Sequence, residues 1–437
     1  MDYVRGIIGI VVIIGIAFLL SGHKKQIDWK LVGAGLVLQL VIAICVLKVP
    51  FIRDVFETIG NGLVTFLGFA LNGAQFLFGD LAKNSDSTQN VRHNLGFLFA
   101  FQALPTVIFF SSVTAGLYYL GILQKIVWVF AWVMTKTMRL SGAESLSAAG
   151  NIFLGQTEAP LLVRPFIKRM TSSELHCLMT GGMATIAGSV MGAYITFLGG
   201  ADRDQLIVFA TYLLCASLMN APAAIVMSKI ILPETEPEKI DQSLIVSKEA
   251  IGVNLIDALA SGAADGLKLA LNIAAMLLAF IAIIYAINWI LVDGIGTWTG
   301  LNQWVQESTG GAFQGFSLQY IFGQVFRILA FAMGVSWDES LNVGSLLGQK
   351  MVINEFVAYL SLSDMKSAGL LSEKSIIIST YALCGFANFS SIAIQIGGIG
   401  GMAPERQGDL SRLGIKALIA ASLATMMSGT IAGALFT

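Results

Sequence analysis

Charge is what this 437-residue chain has least of. Asp, Glu, Lys and Arg make up 12% of it, against 56% hydrophobic residues, about half the charge density of an ordinary soluble domain. A soluble globule of this size could not hide so much apolar surface in one or two cores. With a mean hydropathy of +0.77, the chain reads as a polytopic membrane protein, and soluble enzyme classes are excluded. A net charge of −1 and the lack of any basic block give no case for nucleic acid as a partner. The four cysteines (Cys45, Cys177, Cys215, Cys384) have no paired spacing and read as core residues, not disulfides or metal ligands. The three histidines (His23, His93, His176) sit at expected span ends and form no metal cluster. No Walker A motif is present, so nothing indicates an ATP-driven mechanism. Gly398-Ile-Gly400-Gly-Met-Ala403 formally fits a dinucleotide fingerprint, but no strand precedes it and it ends an apolar span.

What is abundant is apolar sequence in runs of spanning length. About 20 mainly apolar residues cross a bilayer, and the clear candidates are 4–22, 31–49, 95–120, 176–199, 204–228, 267–292, 375–397 and 414–436. The first is followed by His23, Lys24 and Lys25, not by a small-residue cleavage site, so it is expected to be a retained helix. With the N-terminus outside, the cytoplasmic segments hold 15 of the 26 Lys and Arg, among them Lys24, Lys25, Lys30, Lys125, Lys136, Arg139, Lys229, Lys239, Lys248, Arg406, Arg412 and Lys416. The segment 293–326, placed outside, has none. Both observations give N-out, C-out and eight spans.

Three stretches do not fit simple spans. In 51–81 a polar or small stripe runs through Asn61, Thr65, Gly68, Asn72 and Gln75 at helical spacing, as on an amphipathic helix lying in the interface. The stretches 140–168 and 335–362 are too broken for one span and too apolar for a loop. A helical hairpin entering and leaving on one side fits each. The two also resemble one another. Leu154-Gly-Gln-Thr-Glu158 is answered by Leu347-Gly-Gln349 and Asn354-Glu355, each followed by a Ser-Glu pair (173–174, 372–373) and a mostly uncharged helix. In those helices Thr185–Ser189 corresponds to Cys384–Asn388. An odd number of spans separates the copies, so they enter from opposite sides. This is the inverted repeat of secondary transporters, whose site lies near the midplane between repeats.

The residues that carry chemistry stand at these breaks. Carboxylates at membrane depth are costly and mark function. Glu158 follows Gln156 and Thr157 and precedes Pro160, which disrupts a helix and frees backbone carbonyls. The bland alternative pairs Glu158 with Arg164. Glu355 follows Asn354, and its bland partner is Lys350. In the seventh span Asn388, Ser390 and Ser391 lie in the middle of an apolar run, flanked by Phe386 and Phe389. Asn388-Phe-Ser390 is a formal glycosylation sequon, but a buried one is inaccessible. No Lys or Arg falls near the midplane of either broken helix, which disfavours an anionic substrate. Carboxylates, amides, hydroxyls and phenylalanines suit a neutral, hydroxyl-rich, partly aromatic solute such as a nucleoside. Asp265 and Lys268 pair locally on one helix, which Asp257 and Asn272 share with no role assigned.

Gly-Gln-Thr-Glu-Ala-Pro (155–160), Asn-Glu-Phe-Val-Ala-Tyr (354–359) and Gly-Phe-Ala-Asn-Phe-Ser-Ser (385–391), in this order, resemble the concentrative nucleoside transporters over nearly the whole chain. The length matches the compact bacterial form of that family. The resemblance implies a homotrimer of all-α protomers, each with eight transmembrane helices, two oppositely oriented re-entrant hairpins and one interfacial amphipathic helix. It implies a nucleobase site at Gln156, Thr157, Glu158 and Val190. The ribose site falls at Glu355, Asn388 and Ser391, with Phe386 lining it. It implies sodium ligands at Asn151, Leu154, Thr185 and Ile186, Leu154 and Ile186 acting through backbone carbonyls. Where this chain has Thr185, a serine is familiar; the extra methyl tightens the site.

The resulting expectation is a sodium-coupled nucleoside (uridine-like) symporter working by alternating access, multi-pass in a bacterial inner membrane. It has sodium as coupling ion, no other cofactor and no enzymatic activity. Residues 1–120 and 231–326 form the scaffold, and 121–230 and 327–437 the two repeats. Proton coupling through Glu158 or Glu355, or a nucleobase or other neutral solute as cargo, are the alternatives. Asn151 favours sodium, because it offers a hard oxygen without titrating.

Overall fold

The computed structural model describes residues 2–83, 98–244 and 252–436; His93 and Lys248 lie outside them. Every regular element among the described residues is helical, as the bilayer demands of an open chain whose backbone must be satisfied internally. Helix α1 (Asp2–Leu19) is followed by α2 (Trp29–Lys48), which the Asp28 side chain caps by accepting from the backbone N–H of Lys30 (2.9 Å) and Leu31 (3.2 Å). One residue later α3 (Pro50–Phe78) begins, with proline in its first turn, where no N–H partner is lost.

Helix α3 is the amphipathic helix at the boundary. Gly60, Val64, Leu67, Ala70 and Ala74 face the interior at steps of three and four. The polar stripe has a partner of its own: Asn61 and Thr65 both accept from the Arg203 guanidinium, at 2.8 and 3.2 Å. Helices α4 (Phe99–Gln102) and α5 (Leu104–Tyr119) make the third crossing.

Two units of matching design follow. The first is α6 (Ile122–Met138), α7 (Gly142–Gly150), an irregular tip, α8 (Arg164–Ile167), α9 (Ser172–Ala184), α10 (Gly188–Gly199) and α11 (Arg203–Ile231). Between the units α12 (Leu255–Asn288) crosses, widens through Trp289–Gly296, and leads to α13 (Thr297–Thr299) and α14 (Leu301–Ser308). The second unit is α15 (Leu318–Ala332), α16 (Trp337–Val352), α17 (Glu355–Ser367), α18 (Glu373–Leu383), α19 (Phe389–Met402) and α20 (Gln407–Leu435). Element for element, α6 answers α15, the hairpin α7–α8 answers α16–α17, and the broken crossing α9–α10 answers α18–α19. Helix α11 answers α20. Among the described residues the eight crossings are α1, α2, α4–α5, α9–α10, α11, α12, α18–α19 and α20. Helix α6 has no counterpart among the sequence expectations. Lys125 and Lys136 interrupt its apolar pattern, yet Leu123, Val127, Ala131, Met134 and Met138 are buried at helical spacing.

Both hairpins are tied at their bases. Ser141 and Ser336 cap α7 and α16 by accepting from the backbone N–H of Glu144 (3.1 Å) and Glu339 (3.4 Å). The Glu144 carboxylate is then ion-paired with Lys229 of α11, whose ammonium also donates to Ser173 of α9 (2.9 Å). In the second unit the Glu339 carboxylate accepts from the backbone N–H (3.1 Å) and hydroxyl (2.9 Å) of Ser372, the cap of α18.

Helices α9, α10 and α20 are almost wholly buried, whereas α3 and α12 are mostly exposed. The last crossing packs against the first two. Helix α1 packs on α20, and Gln39 of α2, fully buried, donates to the Ser428 hydroxyl at 2.9 Å. Helices α5 and α12 touch backbone to backbone: a Cβ at Gly262 or Gly266 would run into Ile108, Ser111 and Ser112. Asp257 closes the start of α12, accepting from the backbone N–H of Val253 at 2.8 Å, while Asn272 is exposed. His176 is buried in α9 against the Ser228 hydroxyl, at 2.7 Å.

Candidate functional site

Two irregular backbone segments meet at the centre. Helix α9 ends at Ala184 and α10 begins at Gly188; α18 ends at Leu383 and α19 begins at Phe389. Each break leaves helix-end N–H and C=O groups without intrahelical partners. One pair is satisfied across the breaks: the Phe386 N–H donates to the Thr185 carbonyl at 3.2 Å. The two hairpin tips close over this crossing, from opposite sides.

A cavity lies between tips and breaks. Gln156, Thr157, Glu158, Val190, Glu355, Phe386, Asn388 and Ser391 all line it, with Leu269, Ile273 and Met276 of α12 as its apolar wall. Among the described residues the lining holds no Lys or Arg. Phe389 does not join Phe386 there; it points outward and is exposed.

The sugar-side polar groups form one network. Glu355, 2% exposed, accepts from the Tyr194 hydroxyl (2.9 Å) and from Asn388 Nδ2 (3.0 Å). The Asn388 side-chain oxygen Oδ1 accepts from the Ser390 hydroxyl (2.6 Å) and the Ser391 backbone N–H (2.9 Å), which fixes its amide group toward Glu355. Asn388 is thereby also the cap of α19. Tyr194 stacks on Tyr359 with ring centroids 4.5 Å apart, and the Tyr359 hydroxyl donates to the Thr380 carbonyl at 2.8 Å.

On the other side, Gln156 Nε2 donates to the Ser391 hydroxyl (3.1 Å) and its oxygen accepts from Gln395 (3.3 Å). Gln395 also donates to the Met179 carbonyl at 3.1 Å. Glu158 is not sealed in the way Glu355 is. It lines the central cavity and also a second cavity of about 170 Å³ bounded by Ser111, Thr114, Tyr118, Gly262 and Asp265. Asp265 is ion-paired with Lys268 at 3.5 Å. The Glu158 carboxylate folds back on its own tip, so that a Cβ at Gly155 would collide with it.

Asn151, Leu154, Thr185 and Ile186 are all buried where the first tip meets the α9 break. The Thr185 hydroxyl donates to the Gly181 carbonyl at 2.9 Å, and the Asn151 amide lies against Gly181. Among the described residues neither the oxygen nor the nitrogen of the Asn151 carboxamide has a hydrogen-bond partner. A buried, unsatisfied hard oxygen beside a helix C-terminus suits a small cation.

Lys350 is not the partner of Glu355. Its ammonium donates to the Ala382 carbonyl and the Thr425 hydroxyl, both at 2.8 Å. Tyr194 and Gln395 belong to the site and were not among the expected residues. Gln395, alone in an apolar run, carries the same signal as Asn388; Tyr194 carries none.

Sequence profiles decide the relationship. One described as the Na+ dependent nucleoside transporter C-terminus matches residues 212–433, and its N-terminal companion matches 8–81. A nucleoside recognition profile matches 100–201. The chain belongs to the Na+ dependent nucleoside transporter family. An uncharacterized transporter of Haemophilus influenzae is 43% identical over 437 residues, covering 99% of this chain and 98% of that one. Sodium/nucleoside cotransporter 1 of Mus musculus is 40% identical over 98% of this chain, which spans 63% of that longer protein. Among solved structures, CNTnw in an inward-facing substrate-bound state matches with a TM-score of 0.88 at 41% identity, over 100% of this chain and 98% of that one. A CNTnw variant in an outward-facing state matches at 0.87, with 40% identity over 100% and 98%. This member of the Na+ dependent nucleoside transporter family is therefore a multi-pass membrane symporter of nucleosides that works by alternating access, and not an enzyme.

Proposed function

We propose that the central cavity is the nucleoside site of a sodium-driven importer in a bacterial inner membrane, with uridine-like substrates. The observation that carries this reading is the lining, free of Lys and Arg among the described residues, in which both hairpins and the break between α18 and α19 supply polar groups to one cavity. Gln156, Thr157, Glu158 and Val190 take the base. Glu355, Asn388 and Ser391 take the ribose hydroxyls, which a carboxylate and an amide accept and donate to at low cost in reorganisation. Phe386 stacks at the side. On binding, the bonds from Gln156 to Ser391 and Gln395 are exchanged for bonds to the base.

Sodium enters as co-substrate at Asn151 and Thr185, with the backbone carbonyls of Leu154 and Ile186. Its charge satisfies the Asn151 oxygen and the helix end, orders the first tip, and so raises nucleoside affinity. The side with the bases of α7 and α9 is cytoplasmic. The second cavity, which shares Gly155, Glu158 and Ala187 with the central one, is the release route between α5, α12 and the first hairpin. Residues 121–230 and 327–437 act as the repeats and 1–120 with 231–326 as the scaffold, three copies of which assemble as a homotrimer.

The test is uptake of labelled uridine into proteoliposomes under an imposed sodium gradient, then a proton gradient. Glu355→Gln and Asn388→Ala are each expected to abolish sodium-driven uptake while remaining in the membrane. Normal uptake in either variant would sink the site assignment.

A further inference from the structure

One buried charge takes no part in the cavity. Lys350, near the end of α16, is 3% exposed, and an ammonium is taken out of water only where other groups replace its hydration. Here they are the Ala382 carbonyl and the Thr425 hydroxyl. Ala382 is the penultimate residue of α18, just before the break at 384–388. The ammonium therefore sits where the second hairpin meets the C-terminal end of a half-helix, within reach of α20.

The first unit has the same junction. There the first tip meets the C-terminal end of α9, and α11 reaches it through Ser217, which donates to the Ile152 carbonyl at 2.9 Å. Register by helix starts (Gly142 against Trp337) and by hairpin carboxylates (Glu158 against Glu355) sets Lys350 opposite residues 153–155. The half-helix ends (Ala184 against Leu383) set Ala382 opposite Met183. No side-chain cation stands at 153–155 in the first unit, which has Phe153, Leu154 and Gly155 instead. What it has is the unsatisfied Asn151 carboxamide. Both half-helix ends carry the partial negative charge of a helix C-terminus. The first is left for a mobile cation, and the second is already neutralised.

We propose that Lys350 is a tethered cation that takes, in the second unit, the place the coupling sodium takes in the first. Its ammonium fixes the second hairpin against α18 and α20 in every state of the cycle. Only the first hairpin then depends on an ion for its order, and one sodium ion moves with each nucleoside. This rests on the reading of Asn151 and Thr185 as sodium ligands.

The test compares wild type with Lys350→Asn, which removes the charge and supplies an oxygen, and Lys350→Arg, which keeps the charge. Two readouts are taken: the ratio of labelled sodium to labelled uridine entering the same proteoliposomes, and thermal unfolding in detergent as sodium chloride replaces choline chloride. Wild type and Lys350→Arg are expected to move one sodium per uridine. Lys350→Asn is expected to move two, with a steeper sodium activation, because a second ion now fills the vacated place. Its unfolding temperature should also rise more steeply with the logarithm of sodium concentration, even if transport is lost, because that slope counts the ions bound to the folded state. A variant with the wild-type ratio and slope, or one unfolded at every sodium concentration, overturns the proposal. Wild-type uptake and stability indifferent to sodium would instead overturn the sodium reading itself.

Discussion

Tyr194→Phe isolates a single hydrogen bond in the sugar half of the site. The hydroxyl donates to Glu355 Oε1 at 2.9 Å. The ring stacks on Tyr359 at 4.5 Å and meets Phe356 edge-on at 4.9 Å, contacts a phenylalanine keeps. Asn388 still holds the other carboxylate oxygen, at 3.0 Å. The change therefore leaves packing alone and frees one oxygen of a buried carboxylate. A hydrogen bond to a charged group contributes about 1.5–3 kcal/mol. If Glu355 reads the ribose hydroxyls and Tyr194 holds it in position, that loss falls on substrate binding. The KM for uridine should then rise roughly 10- to 150-fold, at about 1.4 kcal/mol per factor of ten, with the maximal rate changed much less. The assay is initial-rate uptake into proteoliposomes across a range of uridine concentrations, repeated with 3′-deoxyuridine. Wild type should discriminate against the deoxy compound, and the variant should do so less. A KM within about twofold of wild type, well below the cost of such a bond, with unchanged discrimination would show that this network does not serve the sugar.

Asn151→Ala removes a carboxamide that has no hydrogen-bond partner among the described residues. It should leave sodium-free thermal stability unchanged or slightly raised, and abolish the stabilisation sodium gives wild type, about 2.7 kcal/mol at a hundredfold excess over the dissociation constant. Lys229→Met strands the buried Glu144 carboxylate and removes the donor to Ser173. It should cost about 3–5 kcal/mol in denaturant titration, and Glu144→Gln added to it should recover part of the loss. Gly155→Ala drives a methyl group into the Glu158 carboxylate and toward Ala187; uptake should fall at least tenfold while membrane insertion, followed by surface labelling, stays normal.

The sequence shows most clearly what lipid makes expensive. Glu158, Glu355 and Asn388 stand out because a polar side chain in an apolar run needs a reason, and each lies at a tip or break. The same logic reaches Gln395, whose partner Gln156 lies more than 200 positions away. It does not reach Tyr194, which reads as one more aromatic in a helix until the fold brings Glu355 to it. Proximity along the chain misleads at Lys350. Five positions separate it from Glu355, but α16 ends and α17 begins between them, so the two side chains leave different helices. Helix α12 begins at Leu255, well before its apolar run at 267, because Asn254 and Asp257 cap it and the alanine-rich turns between favour helix without being apolar. Helix α6 escapes for the reverse reason, its charges masking a regular apolar face.

The pairing of Gln39 with Ser428 carries a consequence for how the molecule is made. A ribosome inserts the second crossing long before it reaches the last, so the Gln39 amide first enters lipid without the hydroxyl that satisfies it. Gln156 likewise waits for Ser391 and Gln395. Contacts this distant along the chain form late and slowly, and until they do the nascent protein holds exposed polar groups in hydrocarbon. Assembly is thus completed by the C-terminal helix. A truncation that removes α20 should leave inserted helices recognisable to membrane quality control as unfinished, however many crossings precede it.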